Sequence, residues 1–413
     1  MKFTTNFAKP CAARIGILSE FERIPNRNFE TPLVLIYTKG GCVPHLTKDV
    51  FKMVTSNPQL LSISLSSTFS MIESVRDTNI NFADFVSMKE YINFLTISDS
   101  AYTTPSGFQQ HHTVPVWTRN GKCALTANQY MDIIEVFKPD MYVAMYDGDT
   151  NIKSSKKRTS KAVQRSTSLF EQCFIRHSAS EKLKSSEILG AIAGGYDIPA
   201  RTVSINYLKN KSLIGYVIDG LHNNGPDVVN IPSVQIKAVV EHTMNLLPAD
   251  KLKVSMGSWN PLTVLNLVEL GIDVFDTSYP YVITENLQAL TFLCDRDNCN
   301  NVGHVISLEE ERYAEDFSPI CSHCECLTCK NHTKAYLHHL CRTKELLRAV
   351  LLMIHNMHQY LEFFKIIRKS IKDNTLEDCK KKVNLKFKQE NVIQTDEPTN
   401  TEAITYNNTY RMF

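Results

Sequence analysis

"CSHCECLTCKNHTKAYLHHL", residues 321–340, holds Cys324, Cys326 and Cys329 in the spacing CxCxxC, with Cys321 just ahead of them. Sulfurs this close along the chain can wrap one ion, because a single turn of backbone brings them round it. A tetrahedral site needs a fourth ligand, and Cys321, His323, His332, His338, His339 and Cys341 all compete for that place. Further on, "LLMIHNMHQY" (351–360) sets His355 on the apolar stripe of a segment that reads as a helix from about Lys344 to Ser370. With 25 residues between Cys329 and His355, a buried imidazole there can also close the cage. Four filled positions leave none open for water, so a structural metal is expected, and zinc suits sulfur and nitrogen ligands best. Redox chemistry fits less well, since no CxxC opens a helix after a strand in thioredoxin fashion. Cys294 and Cys299 make another pair, with nothing nearby to complete a set.

Upstream of this segment, short apolar runs recur: "PLVLIYT" (32–38), "LLSISLS" (60–66), "INFLTISD" (92–99), "MYVAMYDG" (141–148), "EILGAIAGG" (187–195), "SLIGYVIDG" (212–220), "KVSMGSW" (253–259) and "IDVFDTSYP" (272–280). They lack polar alternation, as strands buried on both faces of a parallel sheet do. Helix-like stretches such as "TANQYMDIIEVFKP" lie between them. Alternation of this kind is α/β, and about eight strands in this length favour a closed (β/α)8 barrel. Several runs end in polar groups: Asp99, Asp147, Gly194 with Gly195, Asp219 and Asp276. In a barrel the strand C-termini share one rim, so these groups would meet at one mouth. Turn preference alone would also put Asp and Gly there.

The domain division that follows is a barrel over 1–293, an insertion with the metal subdomain over 294–343, a helix over 344–375 that closes the metal site, and a polar tail over 376–413. That helix is apolar enough to pack on two sides, against the barrel and against a partner. "NIKSSKKRTSKAVQR" (151–165) interrupts the pattern as a basic, Ser-rich run. The 45 Lys and Arg against 43 Asp and Glu leave a net charge of +2. No global field therefore drives nucleic-acid or membrane binding, and such a role must come from a local patch. The N-terminus has no secretory core, and no apolar run reaches the ~18–20 residues of a membrane span. Twelve cysteines with neither feature suggest a reducing cytosol.

"CECLTCKNHTKAYLHHL" (324–340) followed by "LLMIHN" (351–356) resembles the zinc segment of the tRNA-guanine transglycosylase family, and "GIDVFDTSYP" (271–280) resembles that family's strand with the catalytic aspartate. "GAIAGG" (190–195) and "GYVIDGL" (215–221) are similar to its substrate-pocket strands. The resemblance covers residues 15–375. It implies an irregular (β/α)8 TIM barrel with an inserted zinc-binding subdomain, and one Zn2+ on Cys324, Cys326, Cys329 and His355. It also implies exchange of guanine for queuine, a 7-deazaguanine, at the wobble position of tRNAs with GUN anticodons (Asp, Asn, His, Tyr). Asp276 then corresponds to the nucleophile, Asp147 to the carboxylate that reads the base edge, and Asp99 to a displaced acid/base.

Against that pattern this sequence has lost working parts. "SDSAYTTPSGFQ" (98–109) breaks the family's DSGGFQ motif with inserted residues. Ala193 stands where a pocket Gln is expected, and Asp219-Gly220 replaces paired glycines. Val282 and Glu285 replace two arginines that grip tRNA. The resemblance thus points to a non-catalytic member that binds tRNA and pairs with the catalytic transglycosylase subunit as a heterodimer, or with itself as a homodimer. Lys153, Lys156, Lys157 and Arg158, with Lys161 and Arg165, suit contacts to tRNA phosphates. A transglycosylase acting alone through Asp276, and a tRNA- or queuine-binding module without an enzyme partner, are the competing readings. The resemblance places the protein in cytoplasm, with peripheral attachment at the mitochondrial outer membrane, although no anchor is visible.

Overall fold

The apolar runs become eight strands in the computed structural model, which describes residues 1–7, 12–294 and 303–393. They are β1 Leu33–Thr38, β2 Leu60–Ser64, β3 Ile92–Thr96, β4 Met141–Val143, β5 Glu187–Ile192, β6 Gly215–Ile218, β7 Leu252–Val254 and β8 Val274–Asp276. Neighbours are parallel and the sheet closes in the order β5-β6-β7-β8-β1-β2-β3-β4. At the closing seam Val274 pairs with Leu33 and Asp276 with Leu35. Both faces are buried, as the unbroken apolar runs require. Leu33 and Leu35 join Leu60, Phe94, Leu189 and Val254 inside the barrel, while Val34 and Ile36 pack outward. A pleated strand presents alternate side chains to opposite faces, so one run feeds two cores.

The outer layer is α1 Lys48–Val54, α2 Ile72–Thr78, α3 Ala127–Phe137, α4 Lys156–Ala179, α5 Ile198–Leu208, α6 Ser233–Leu246 and α7 Pro261–Glu269. Their starts carry sequence logic. Thr126 and Gln129 form a reciprocal capping box before α3, and the Ser155 hydroxyl accepts from Arg158 N to begin α4. The basic run expected to interrupt the pattern is thus the N-terminal end of a 24-residue helix. At the opposite end of the barrel from the mouth, an antiparallel sheet of Lys2–Phe7, Arg14–Ser19 and Phe29–Thr31 closes the floor. Phe3, Leu18 and Phe21 complete the interior core. Arg14 there donates to both oxygens of buried Asp273, at 2.8 and 2.6 Å.

After β8 come α8 Ser278–Glu285, a ribbon of Gln288–Leu290 and Val305–Ser307, α9 Leu327–Asn331, α10 Lys334–Arg342, α11 Leu347–Lys372 and α12 Leu376–Ile393. α11 packs on the barrel as expected: Phe364 meets Phe275 of β8 at 5.7 Å and Phe363 meets Phe292 at 5.1 Å. One expectation changes. The expected tail from 376 begins instead with α12. Its many lysines lower the average hydropathy, yet Cys379 and Val383 fall on one buried face. Residues 394–413 lie outside the described residues.

Candidate metal centre and barrel mouth

Cys324 and Cys326 sit in the turn before α9 and Cys329 within it; His355 projects from the middle of α11. All four are buried, and one ligand atom from each lies within 4.8 Å of the others. The His355 Nδ1 is 3.8, 3.5 and 3.3 Å from the sulfurs of Cys324, Cys326 and Cys329. Ordinary zinc–sulfur and zinc–nitrogen bonds on a tetrahedron give an edge of roughly 3.5 Å, so the cluster has the size of a zinc site. Its imidazole is also oriented for the task. Nε2 donates to the Leu290 carbonyl at 2.8 Å, which leaves the Nδ1 lone pair facing the sulfurs. Burial opposes charge on this ring, but the sulfurs of Cys324 and Cys326 outweigh it, so the centre of the cluster favours positive charge. Such a site calls for a cation.

Apart from Cys341, which is buried, the competing ligands are engaged elsewhere or face outward. His338 Nδ1 pairs with the Leu308 carbonyl at 2.9 Å, His332 stacks on Tyr336, and His323 and His339 are exposed. Cys321 pairs with Cys294, and Cys299 lies outside the described residues. No disulfide joins the described cysteines.

At the mouth the strand-end groups do come together. Asp276, 1% exposed, accepts from Ser278 N at 2.9 Å, from the Ser278 hydroxyl, and from Gly257 N at 3.3 Å. Asp99 accepts from Tyr37 at 3.0 Å and Ala101 N at 3.0 Å. Burial first, with the Asp276 charge adding to it, raises Asp99 to about 6; burial likewise raises Asp276. Above them runs the inserted loop that breaks the DSGGFQ-like motif. Thr104 N donates to Asn223 O at 2.7 Å, Gly225 N to Ser100 O at 3.1 Å, and Gly107 N to Asp149 at 2.8 Å. The Tyr102 and Tyr281 hydroxyls meet at 2.7 Å. These contacts pin the loop across the mouth as a lid.

Asp147, also 1% exposed, is bound from within the chain. Arg158 donates to both of its oxygens, at 3.0 Å from Nη1 and through a second bond from Nη2, and Arg165 adds a third at 3.2 Å. Arg158 therefore departs from its expected role as a free phosphate contact: it turns into the mouth, while Lys153, Lys156, Lys157 and Lys161 remain exposed on the outer rim. Ion pairing with a buried carboxylate in a drier environment outcompetes a solvated position. Sequence reading missed this plug, although a signal was present: residues seven apart share a helix face. Asp219 lies against Tyr146. Glu285 on α8 pairs with His45 at 2.7 Å, and Val282 beside it is buried.

A closed parallel barrel carrying a buried Cys3His clasp after its last strand defines the class, and the chain belongs to the queuine tRNA-ribosyltransferase family, whose model matches residues 10–389. Among its relatives, the protein called queuine tRNA-ribosyltransferase accessory subunit 2 in Anopheles gambiae is 38% identical over 386 residues, 92% of this chain and 89% of that one. The proteins of the same name in Culex quinquefasciatus and Drosophila virilis are 40% identical over 382 residues (91% and 89% covered) and 38% over 404 (97% and 96%). The resemblance read from the cysteine segment is thereby borne out. No described helix is long and apolar enough to cross a membrane.

Proposed function

We propose that this chain is the non-catalytic accessory subunit of queuine tRNA-ribosyltransferase. It pairs with the catalytic subunit, which exchanges guanine for queuine at the wobble position of tRNAs with GUN anticodons. The observation that carries this reading is Asp147: the carboxylate expected to read the incoming base is already occupied on both oxygens by Arg158 and Arg165. The burial of Asp276 and Asp99 argues the same way. A carboxylate nucleophile must be ionised and reachable, whereas Asp276 is buried beneath hydrogen bonds and pushed toward its protonated form. An acid/base needs access to the proton it moves, and Asp99 is sealed by Tyr37 and the lid. Retention of Asp276 favours the competing reading, a transglycosylase acting alone, but its burial opposes it.

Cys324, Cys326, Cys329 and His355 would hold one structural Zn2+, which cross-links the turn before α9 to α11. The clasp thereby fixes the region through which we expect two barrels to pair, in a heterodimer or a homodimer. Lys153, Lys156, Lys157 and Lys161 form no ion pair among the described residues and would meet tRNA phosphates without reading bases. We place the complex in cytoplasm, with peripheral association at the mitochondrial outer membrane. The test is co-purification from cells, with bound proteins and RNA identified together. Recovery of a catalytic transglycosylase with its tRNA is expected; recovery of the chain without such a partner would refute the assignment.

A further inference from the structure

Cys294 and Cys321 meet beside the clasp and are not joined by a disulfide. The Cys294 S–H donates to the sulfur of Cys321, and each residue is 4% exposed. They come from the two segments that assemble the clasp. Cys294 follows the ribbon strand Gln288–Leu290, and its N–H donates to the Thr291 carbonyl at 3.0 Å. The Leu290 carbonyl is the acceptor that orients His355, and Leu290 N is held by Asn356 at 2.8 Å. Cys321 begins the turn that carries the other three ligands, and its carbonyl accepts from Cys324 N at 3.2 Å. Phe292, Ile306, Leu308 and Ile320 belong to the same buried apolar cluster. A buried cysteine commonly serves as a small apolar side chain. Two whose sulfurs touch can also bond to each other, since a disulfide forms only where the backbones already bring its sulfurs together.

We infer that Cys294 and Cys321 are an oxidisable dithiol: a peroxide converts them to a disulfide that ties the ribbon to the ligand-bearing turn and keeps the four clasp positions assembled when the ion is lost. The inference goes beyond the accessory-subunit reading and stands without it. The Cys321 sulfur attacks one peroxide oxygen, the O–O bond breaks, and a sulfenic acid and one water form. The Cys294 sulfur then displaces the hydroxyl as a second water, so the two thiols give two hydrogens and two electrons to one peroxide. A peroxide is small enough for a site this closed, whereas a glutathione-sized disulfide is excluded. With the clasp filled, Cys324, Cys326 and Cys329 have their sulfur lone pairs engaged, so oxidation falls on the neighbouring pair.

The experiment treats the full-length, zinc-loaded chain with graded hydrogen peroxide, alkylates the remaining thiols, and reads unreduced peptides by mass spectrometry. A cross-linked pair holding Cys294 and Cys321 is expected, formed before zinc appears in solution (followed with a chromogenic chelator) and reversed by dithiothreitol. Stripped of metal by chelator, the oxidised chain should melt roughly 4 °C above the reduced one, since the bridge closes a loop of about 28 residues. Cys294→Ala and Cys321→Ala should each lack the cross-link and the shift while binding zinc as the unsubstituted chain does. The peptide map of the unsubstituted chain decides the question even if a variant fails to fold. Both thiols still open to alkylation after zinc is lost, either one cross-linked to a different cysteine, or a cross-linked chain that melts no higher than the reduced one would overturn the inference. None of these results touches co-purification with a partner, so the two claims fail separately.

Discussion

His355→Ala removes one of four candidate ligands and also the donor to the Leu290 carbonyl. Structural zinc sites have an apparent binding free energy of roughly 10–16 kcal/mol; divided evenly, one ligand contributes about 3 kcal/mol, on the order of a hundredfold in affinity. Leaving the buried Leu290 carbonyl without its donor costs about 1–3 kcal/mol more. Across 413 residues the unfolding entropy is roughly 0.9 kcal/mol/K, so a combined loss of about 5 kcal/mol lowers the melting temperature by about 6 °C. Metal retained after dialysis against graded chelator, together with differential scanning fluorimetry, reads both effects. The adjacent Asn356 is the control. It accepts from Leu290 N at 2.8 Å and donates to Thr284 at 2.9 Å and Gln288 O at 3.0 Å. Asn356→Ala should therefore melt lower while keeping its metal. Should His355→Ala hold metal against chelator as the unsubstituted chain does, the ligand assignment is wrong.

Asp99, raised to about 6 chiefly by burial, should shape the pH dependence of stability. Its folded pKa exceeds the unfolded value near 4, so its stabilising contribution is complete below about 4 and lost as pH rises through about 6. Urea midpoints should show Asp99→Asn gaining on the unsubstituted chain by roughly 2–3 kcal/mol between pH 4 and 7; parallel profiles would contradict the burial argument. At the barrel floor, Arg14→Met strands the Asp273 carboxylate and should cost about 3–5 kcal/mol in chemical denaturation, largely recovered by adding Asp273→Asn. No recovery in the double variant would mean the pair is not the reason. Gly225 has φ +86°, and an added Cβ would lie 2.7 Å from the Thr103 backbone nitrogen. Gly225→Ala should destabilise by about 2–4 kcal/mol and speed amide exchange in the lid around Thr103 and Thr104; unchanged exchange there would show that the lid is not anchored at this point.

The barrel was legible because each strand is buried on both faces, so that "PLVLIYT" and its fellows carry no polar interruption. The clasp was legible because three ligands sit within six residues and the fourth rides an apolar helix. What escaped depends on how distant pieces approach. Nothing local in "SDSAYTTPSGFQ" announces that Thr104 and Gly107 will bond to residues of two other rim loops. Arg158 and Arg165 looked like part of a solvated basic run because charge composition does not say which face of α4 turns toward Asp147. The helix α12 was hidden by its lysines, and the floor sheet by short strands with polar edges.

Label incorporation into tRNA is the sharpest measurement: radiolabelled guanine exchange by the purified chain alone, then with the catalytic subunit, each with and without Asp276→Asn in this chain. No incorporation by the chain alone is expected, and incorporation with the partner should survive Asp276→Asn. Incorporation by the lone chain that Asp276→Asn abolishes would make it a transglycosylase in its own right.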